Sequence, residues 1–256
     1  MSQLSVVIIT FNEERNIARC VESAMSVADD IVVVDSFSTD ATESICGKYP
    51  VRFIRHPWEG YSASKNFGNR QARHDLVLSL DADEALSPEL AGSIGGIGAG
   101  GAVGYKFNRL TNYCGHWIRH GGWYPDSKVR IFDRTVTRWQ GSIHESLEGI
   151  DEKKAVLLAG ECYHYTYYTV AEHLARMRTY TGIMAEEGCR RGKRPSRARL
   201  LLSPAGKFIR DYCLKGGFLD GKSGLLIGAL SAYATYLKYA KMRVLYAGNG
   251  PRGASS

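Results

Sequence analysis

Several things are missing from this 256-residue chain. Its six cysteines (Cys20, Cys46, Cys114, Cys162, Cys189 and Cys213) are scattered, with no C-x-x-C pair and no secretory leader ahead of them. Free thiols in a reduced, cytosolic setting are the simpler expectation. No uncharged apolar run reaches the roughly 20 residues that a spanning helix needs. The longest candidate, Ser223 to Leu237, stops at 15. Residues 92 to 104 hold seven glycines in thirteen positions, and Gly96, Gly98 and Gly101 spell G-x-G-x-x-G. No strand precedes them, as a dinucleotide fingerprint would require, so a flexible loop is expected instead. Residues 1–150 have no excess of positive charge, with a net of −3, whereas residues 151–256 carry +10 of the chain's total of +7. The basicity belongs to the C-terminal part and points to an anionic partner there.

The centre of the sequence is Asp75 to Ser87, D-L-V-L-S-L-D-A-D-E-A-L-S. Leu76, Val77, Leu78 and Leu80 suit a strand buried on both faces of a parallel sheet. Asp81, Asp83 and Glu84 then gather three carboxylates where that strand ends, and such charges repel unless a cation joins them. A D-x-D at this place suits a hard divalent cation whose shell is completed by diphosphate oxygens and water. The other reading is a helix start, since acids favour a first turn and Ser87-Pro88-Glu89 is a good N-cap and N1 pair.

Upstream, Leu4 to Thr10 is a β-branched strand ended by Phe11-Asn12-Glu13-Glu14. Asn16 to Ala28 has helical spacing, Asp30 to Asp35 is a second buried strand, and Ser36 to Asp40 is a polar turn before a helix over Ala41 to Tyr49. A short strand over Val51 to Arg55 and a helix over Tyr61 to Ala72 lead into the strand at Leu76. This alternation predicts a three-layer α/β fold with a mostly parallel sheet whose ligands sit at the strands' carboxyl ends. Tyr105 to Arg109 and Lys128 to Phe132 are further strands. Between them lies a segment of aromatic and polar residues (Asn112, Tyr113, His116, Trp117, His120, Trp123, Tyr124 and Asp126), suited equally to sugar contact or to core.

Beyond Asp151 a helix is expected over Glu172 to Glu187. A run follows with six cations in the ten residues Arg190 to Arg199. Apolar stretches at Leu200 to Tyr212 and Leu225 to Tyr246 are broken by Lys207, Arg210, Lys238, Lys241 and Arg243. These features fit helices lying on an anionic membrane rather than crossing it. Packing against the domain or a second subunit is the alternative. The expected division is therefore residues 1–160, catalytic, and residues 161–256, a basic helical appendage for acceptor or membrane association. The basic tail with Tyr165, Tyr167 and Tyr168 also suggests a nucleic-acid-binding module, but that reading leaves the acidic strand ends unexplained.

Four features then coincide: V-V-I-I-T-F-N-E, V-V-D-S-F-S-T-D, Ser64-Lys65-Asn66 before an apolar strand, and L-D-A-D-E. In order and spacing the first 90 or so residues resemble the family 2 glycosyltransferases, inverting nucleotide-sugar-dependent enzymes of the GT-A fold. G-G-W-Y-P-D-S-K-V-R-I-F, W-Q-G-S-I-H-E-S-L-E, F-I-R-D-Y and G-F-L-D-G look more narrowly like the bacterial lipopolysaccharide core β-1,4-glucosyltransferases. The resemblance implies that Thr10, Asn12 and Glu13 line a uridine pocket and that Asp35 contacts uracil or ribose, with Asp40 supporting that loop. It further implies that Lys65 meets the base or diphosphate, that Asp81 holds ribose or metal, and that Asp83 holds Mg²⁺ or Mn²⁺. Ser36 and Phe37 depart from the commoner V-D-D-G-S-T-D. In this reading Glu145 is the base that takes the acceptor hydroxyl's proton, His144 orients it or binds the acceptor, and Asp126 is the second candidate base. The implied reaction moves glucose from UDP-glucose to a core heptose at the inner face of the bacterial inner membrane. A polyprenyl phosphate or another envelope glycan is the alternative acceptor.

Overall fold

The computed structural model of the chain describes residues 3–98, 104–141 and 145–248. The chain forms two compact units, Met1–Leu110 with Asp126–Tyr165, and Thr111–Pro125 with Thr166–Ser256. The second unit takes in Thr111–Pro125, which lies within the range expected of the catalytic domain. The reason is packing: Tyr113, Ile118 and Ile227 form one buried cluster, with Trp123, Tyr167 and Leu226 against it.

In chain order the first unit runs β1 (Leu4–Thr10), α1 (Ile17–Met25), β2 (Asp30–Asp35), α2 (Thr42–Cys46), β3 (Arg52–Arg55), α3 (Tyr61–Gln71), β4 (Leu76–Asp81), β5 (Glu84–Leu86), α4 (Pro88–Gly95) and β6 (Gly104–Tyr113), whose end from Thr111 on belongs to the second unit. The short β7 (His116–Ile118) belongs to the second unit. The first unit resumes with β8 (Asp126–Asp133), β9 (Arg138–Gln140), β10 (Ser146–Glu148) and β11 (Val156–Tyr167), whose end from Thr166 on belongs to the second unit. The main sheet has the order β3-β2-β1-β4-β8-β6-β11-β5, and β9 and β10 form a separate antiparallel ribbon. β3, β2, β1 and β4 are parallel, joined by helical crossovers as the β-α alternation predicts. β8 pairs antiparallel with β4 and β6, and β11 with β5.

Every residue of β1 and β2 is buried, which is why both read as continuous apolar runs. On one face α1 contributes Ile17, Cys20, Val21 and Ala24 to the core. On the other face α3 lies unusually close to the sheet. A Cβ on Gly68 would stand 2.4 Å from Val7 Cγ1 and 3.0 Å from Val34 Cγ2, so only glycine permits this approach. The residues that α3 buries are Ser64, Lys65, Gly68 and Asn69, a polar face that packing alone does not explain.

Ser87 caps α4, accepting from Leu90 N at 3.1 Å with Pro88 in the first turn. The helix-start reading thus holds for Ser87 and Pro88. β5 intervenes, however, so Asp81, Asp83 and Glu84 are not in that first turn. Gly92 and Gly95 lie within α4 rather than in the flexible loop expected of this glycine-rich stretch, and residues 99–103 fall outside the described residues.

In the second unit α5 (Val170–Arg190) starts from a capping box between Thr169 and Glu172, and α6 (Arg197–Phe208) from a Ser196 cap. A π-helical turn (Ile209–Leu214) and a 3₁₀ turn (Gly217–Asp220) lead to α7 (Gly221–Gly248). α5 and α7 pack closely: a Cβ on Gly188 would stand 2.7 Å from Met242 Cε, and Lys241 donates to the Arg178 carbonyl at 2.7 Å. No helix among the described residues is long and apolar enough to cross a membrane. Of the aromatic segment, Tyr113 is fully buried and Trp123 packs edge-on against it, with Tyr167 and His173 completing the group.

Candidate active site

The carboxyl ends of the parallel strands bring the first group of residues together. Register sets Thr10 beside Asp35 and Ile9 beside Asp81, so three polar strand ends lie side by side at a spacing of about 4.8 Å per strand. Thr10 is buried, and its hydroxyl has no partner among the described residues. Asp35 accepts from the Ser38 backbone N at 2.8 Å and from its hydroxyl. Asn12, at φ 53, ties the two loops together: its N donates to Ser38 Oγ at 2.8 Å and its Oδ1 accepts from Thr39 N at 2.8 Å. Glu13 N donates to Thr42 Oγ1 at 2.9 Å, and the Glu13 carboxylate accepts from Asn16 Nδ2 at 2.7 Å. Asp40 accepts from Glu14 N and Thr42 N, supporting the same loop. Phe37, where the commoner motif has Gly, adopts a left-handed backbone (φ 62) with its ring exposed. That conformation costs a non-glycine residue on the order of 1–3 kcal/mol.

Lys65 is the hub of the second group. The close seating of α3 buries its side chain to 2% exposure. Its ammonium lies 3.0 Å from Asp81 Oδ1, 2.7 Å from Glu145 Oε2 and 5.0 Å from the centroid of the Trp139 ring. Glu145 reaches it because Asn66, the next residue of the helix, pairs with the backbone of β9. Asn66 Nδ2 donates to Trp139 O at 2.8 Å, and Trp139 N donates back to Asn66 Oδ1 at 2.9 Å. β10 then pairs with β9, Ser146 opposite Gln140, which returns Glu145 to the start of α3. His144, the expected neighbour of Glu145, lies outside the described residues.

The three carboxylates after β4 do not share one environment. Asp81 Oδ2 accepts from Arg130 Nη2 at 3.0 Å, which also donates to Glu84 Oε1 at 3.1 Å. Glu84 is bridged in turn to Arg109 at 3.2 Å, and Arg109 Nε donates to Asp126 Oδ2 at 2.8 Å. The result is an alternating chain of charges, buried at Glu84 and Arg130 and partly exposed at Asp81 and Asp126. Burial opposes the charge of Asp81, but Lys65, Arg130 and Arg109 outweigh it and hold its pKa well below the ordinary carboxylate range. Asp126 is held low in the same way, burial being outweighed by Arg109 and Lys128. The same acids push the pKa values of Arg109 and Arg130 up against the effect of burial.

Asp83 meets a histidine. Its Oδ2 is 3.4 Å from His164 Nε2, and both side chains are partly accessible, at 14% and 16%. The register of β11 against β5, His164 opposite Glu84, sets this pairing. The carboxylate suits a hard divalent cation such as Mg²⁺ or Mn²⁺. Among the described residues no three acidic, histidine or cysteine side chains converge on one point, so a cation held here needs further oxygens from a ligand.

Arg109, Arg130, Trp139 and His164 are site residues absent from the sequence reading. One signal for Arg130 was available, a cation inside the buried run V-R-I-F of β8. The positions of Trp139 and His164 follow only from strand pairing.

The sequence matches "Glycosyl transferase family 2" over residues 5–135. It is 30% identical over 258 residues to an uncharacterized glycosyltransferase of Rickettsia typhi, covering 96% of this chain and 88% of that protein. It is also 30% identical over 262 residues to the lipopolysaccharide core biosynthesis glycosyltransferase LpsC of Rhizobium meliloti, covering 93% of both chains. Among solved structures, a mannosyltransferase from Pyrobaculum calidifontis in complex with GDP-Man and Mn²⁺ matches with a TM-score of 0.50 at 16% identity, covering 97% of this chain and 76% of that one. The β-α alternation, the convergent strand ends and these likenesses agree: the chain is a GT-A-fold enzyme that belongs to glycosyltransferase family 2.

Proposed function

We propose that the protein transfers glucose from UDP-glucose, with inversion, to a heptose of the lipopolysaccharide core, working as a peripheral enzyme on the inner face of the bacterial inner membrane. The observation that carries this reading is the buried Lys65 ammonium, 3.0 Å from Asp81 and 2.7 Å from Glu145. One cation there serves two purposes: it is a counter-charge for a departing diphosphate, and it orients the carboxylate that takes the acceptor's proton. The likeness to LpsC over 93% of both chains supports the lipopolysaccharide core as the acceptor class.

The loop that joins Asn12, Ser38 and Asp35 receives the uridine, and the buried Thr10 hydroxyl and Asp35 carboxylate lie beneath it at the strand ends. Asp83, assisted by His164, is the residue fitted to hold Mg²⁺ or Mn²⁺, an ion that acts as a Lewis acid on the diphosphate when bound. Asp81 works through its neighbours, fixing Lys65 and Arg130 in place. Glu145 accepts the proton of the acceptor hydroxyl as that oxygen bonds to C1 of glucose. The C1–O bond to the diphosphate breaks on the opposite face, so the α-linked donor gives a β-glycoside. Asp126 is the poorer base, because Arg109 and Lys128 hold its pKa low and a base works best with a pKa near the operating pH.

The test is release of nucleotide diphosphate from UDP-glucose, UDP-galactose and GDP-mannose, with Mg²⁺ or Mn²⁺ and with or without core extracts exposing heptose. Glucose incorporation that needs the heptose acceptor, and falls by on the order of 10²-fold or more in Glu145→Gln with the KM for donor little changed, supports the reading. Turnover only with a polyprenyl phosphate, whose oxygen is already ionised and needs no base, overturns the acceptor and the role of Glu145 together.

A further inference from the structure

Between Gly188 and Ser256 the sequence holds 14 Lys and Arg against two acids, Asp211 and Asp220. Both acids are buried and internally occupied. Asp220 accepts from Arg119 N at 3.2 Å, from His120 N at 2.9 Å and, through Oδ1, pairs with His120 Nδ1 at 3.0 Å. Asp211 pairs with Lys207 at 2.6 Å and Arg210 at 2.8 Å, beneath Gly122. The described surface of these helices therefore presents cations without a single exposed carboxylate.

The turn between α6 and α7 also presents apolar side chains. Leu214 is 77% exposed, Leu219 60%, Ile209 53%, Phe218 51% and Leu225 48%. Exposed Arg210, Lys215 and Lys222 alternate with them. No residue of the preceding α6 is buried, and its Leu201 and Leu202 are exposed as well. Apolar groups grouped this densely at a turn mark an interaction surface rather than scattered surface leucines. An interleaved set of cations and apolar side chains with no anion matches one environment, the headgroup boundary of an anionic bilayer. There ammonium and guanidinium groups meet phosphates while the apolar groups enter the acyl region.

We propose that Leu214, Phe218 and Leu219, flanked by Arg210, Lys215 and Lys222, form a wedge that inserts shallowly into anionic lipid. The inference rests on the membrane-peripheral part of the reading above and names the surface responsible. The basic run from Arg190 to Arg199 adds long-range attraction that salt screens.

The test is co-sedimentation of the full chain with vesicles of phosphatidylethanolamine and phosphatidylglycerol, against vesicles of phosphatidylcholine alone. Wild type is expected to sediment only with the phosphatidylglycerol vesicles, and less so as salt rises. The variant L214S/F218S/L219S, which keeps every charge, is expected to bind on the order of a hundredfold more weakly. In wild-type background, F218W fluorescence should shift to the blue and be quenched by lipids brominated near the headgroup. Equal binding by wild type and the triple variant overturns the proposal. So does a chain that ignores both vesicles and forms a dimer which the triple variant abolishes, for then a second copy covers the surface. Nucleotide release with a delipidated acceptor, measured on the same preparations, separates the two ideas: it should be unchanged in the triple variant, and its absence in wild type would refute the transferase reading while leaving the vesicle result to stand or fall alone.

Discussion

Replacing Arg130 with methionine removes the cation that joins Asp81 to Glu84 while keeping much of its buried length. Glu84 has no side-chain exposure at all, whereas Asp81 keeps 26%, and breaking a buried pair from one side costs about 3–5 kcal/mol. Each acid keeps other partners, Asp81 the Lys65 ammonium at 3.0 Å and Glu84 the Arg109 guanidinium at 3.2 Å and the Asp81 backbone N at 2.9 Å. The loss should therefore fall at the lower end, about 3 kcal/mol near neutral pH. For a unit of this size that lowers Tm by roughly 6–12 °C. The pH dependence is more discriminating. Lys65, Arg130 and Arg109 overcome burial to depress the pKa of Asp81 in the folded state, so its ionisation contributes stability above the unfolded-state pKa of about 3.9, and that contribution is lost as pH falls toward the folded value. Without Arg130 the folded pKa rises and the contribution shrinks. The gap between wild type and variant, followed by urea unfolding from about pH 7 to about pH 2, should be widest at neutral pH and narrow only in acid, as pH falls through the raised folded pKa of the variant toward the depressed one of wild type. A gap under about 1 kcal/mol at neutral pH, or one that stays constant through the acid range, would refute the charge-chain reasoning.

Gly68→Ala puts a methyl group 2.4 Å from Val7 Cγ1 and should destabilise the first unit by about 1–3 kcal/mol. Because Lys65 lies one turn away on the same face, the variant should also lose nucleotide affinity in equilibrium binding of UDP; unchanged affinity would separate the seating of α3 from the site. Asp83→Ala should abolish the stimulation of nucleotide release by Mn²⁺, and His164→Ala should raise the Mn²⁺ concentration for half-maximal stimulation about tenfold. A variant of Asp83 that is fully active in the presence of a chelator would remove the metal from this enzyme's chemistry.

The parallel half of the sheet was readable along the chain. L-S-V-V-I-I-T, D-I-V-V-V-D and L-V-L-S-L-D are β1, β2 and β4, because a strand buried on both faces must be apolar throughout and its ends must turn polar where water or ligand begins. Positions near these ends follow from local order, so Thr10, Asp35 and Asp81 could be placed together in advance. Boundaries shifted inward where ends are polar, as for α2, which runs Thr42–Cys46 rather than Ala41 to Tyr49. The antiparallel half was less legible. β11 is half-exposed over most of its length, so V-L-L-A-G-E-C-Y-H-Y-T-Y shows no clean alternation, and β5, β9 and β10 are three residues each.

What the sequence by itself determined is the α/β order, the acidic strand ends and the accumulation of cations beyond residue 188. Only the tertiary structure decided which charge meets which. Arg130 on β8 reaches both Asp81 and Glu84, Arg109 on β6 reaches Glu84, and Asp83 lies beside His164. Lys65 and Glu145, 80 residues apart, meet at 2.7 Å because Asn66 holds β9 and β9 holds β10. Local propensity has no access to such pairings: they are set by register and by how closely a helix can approach a sheet, and Coulomb interactions at 3 Å depend on both.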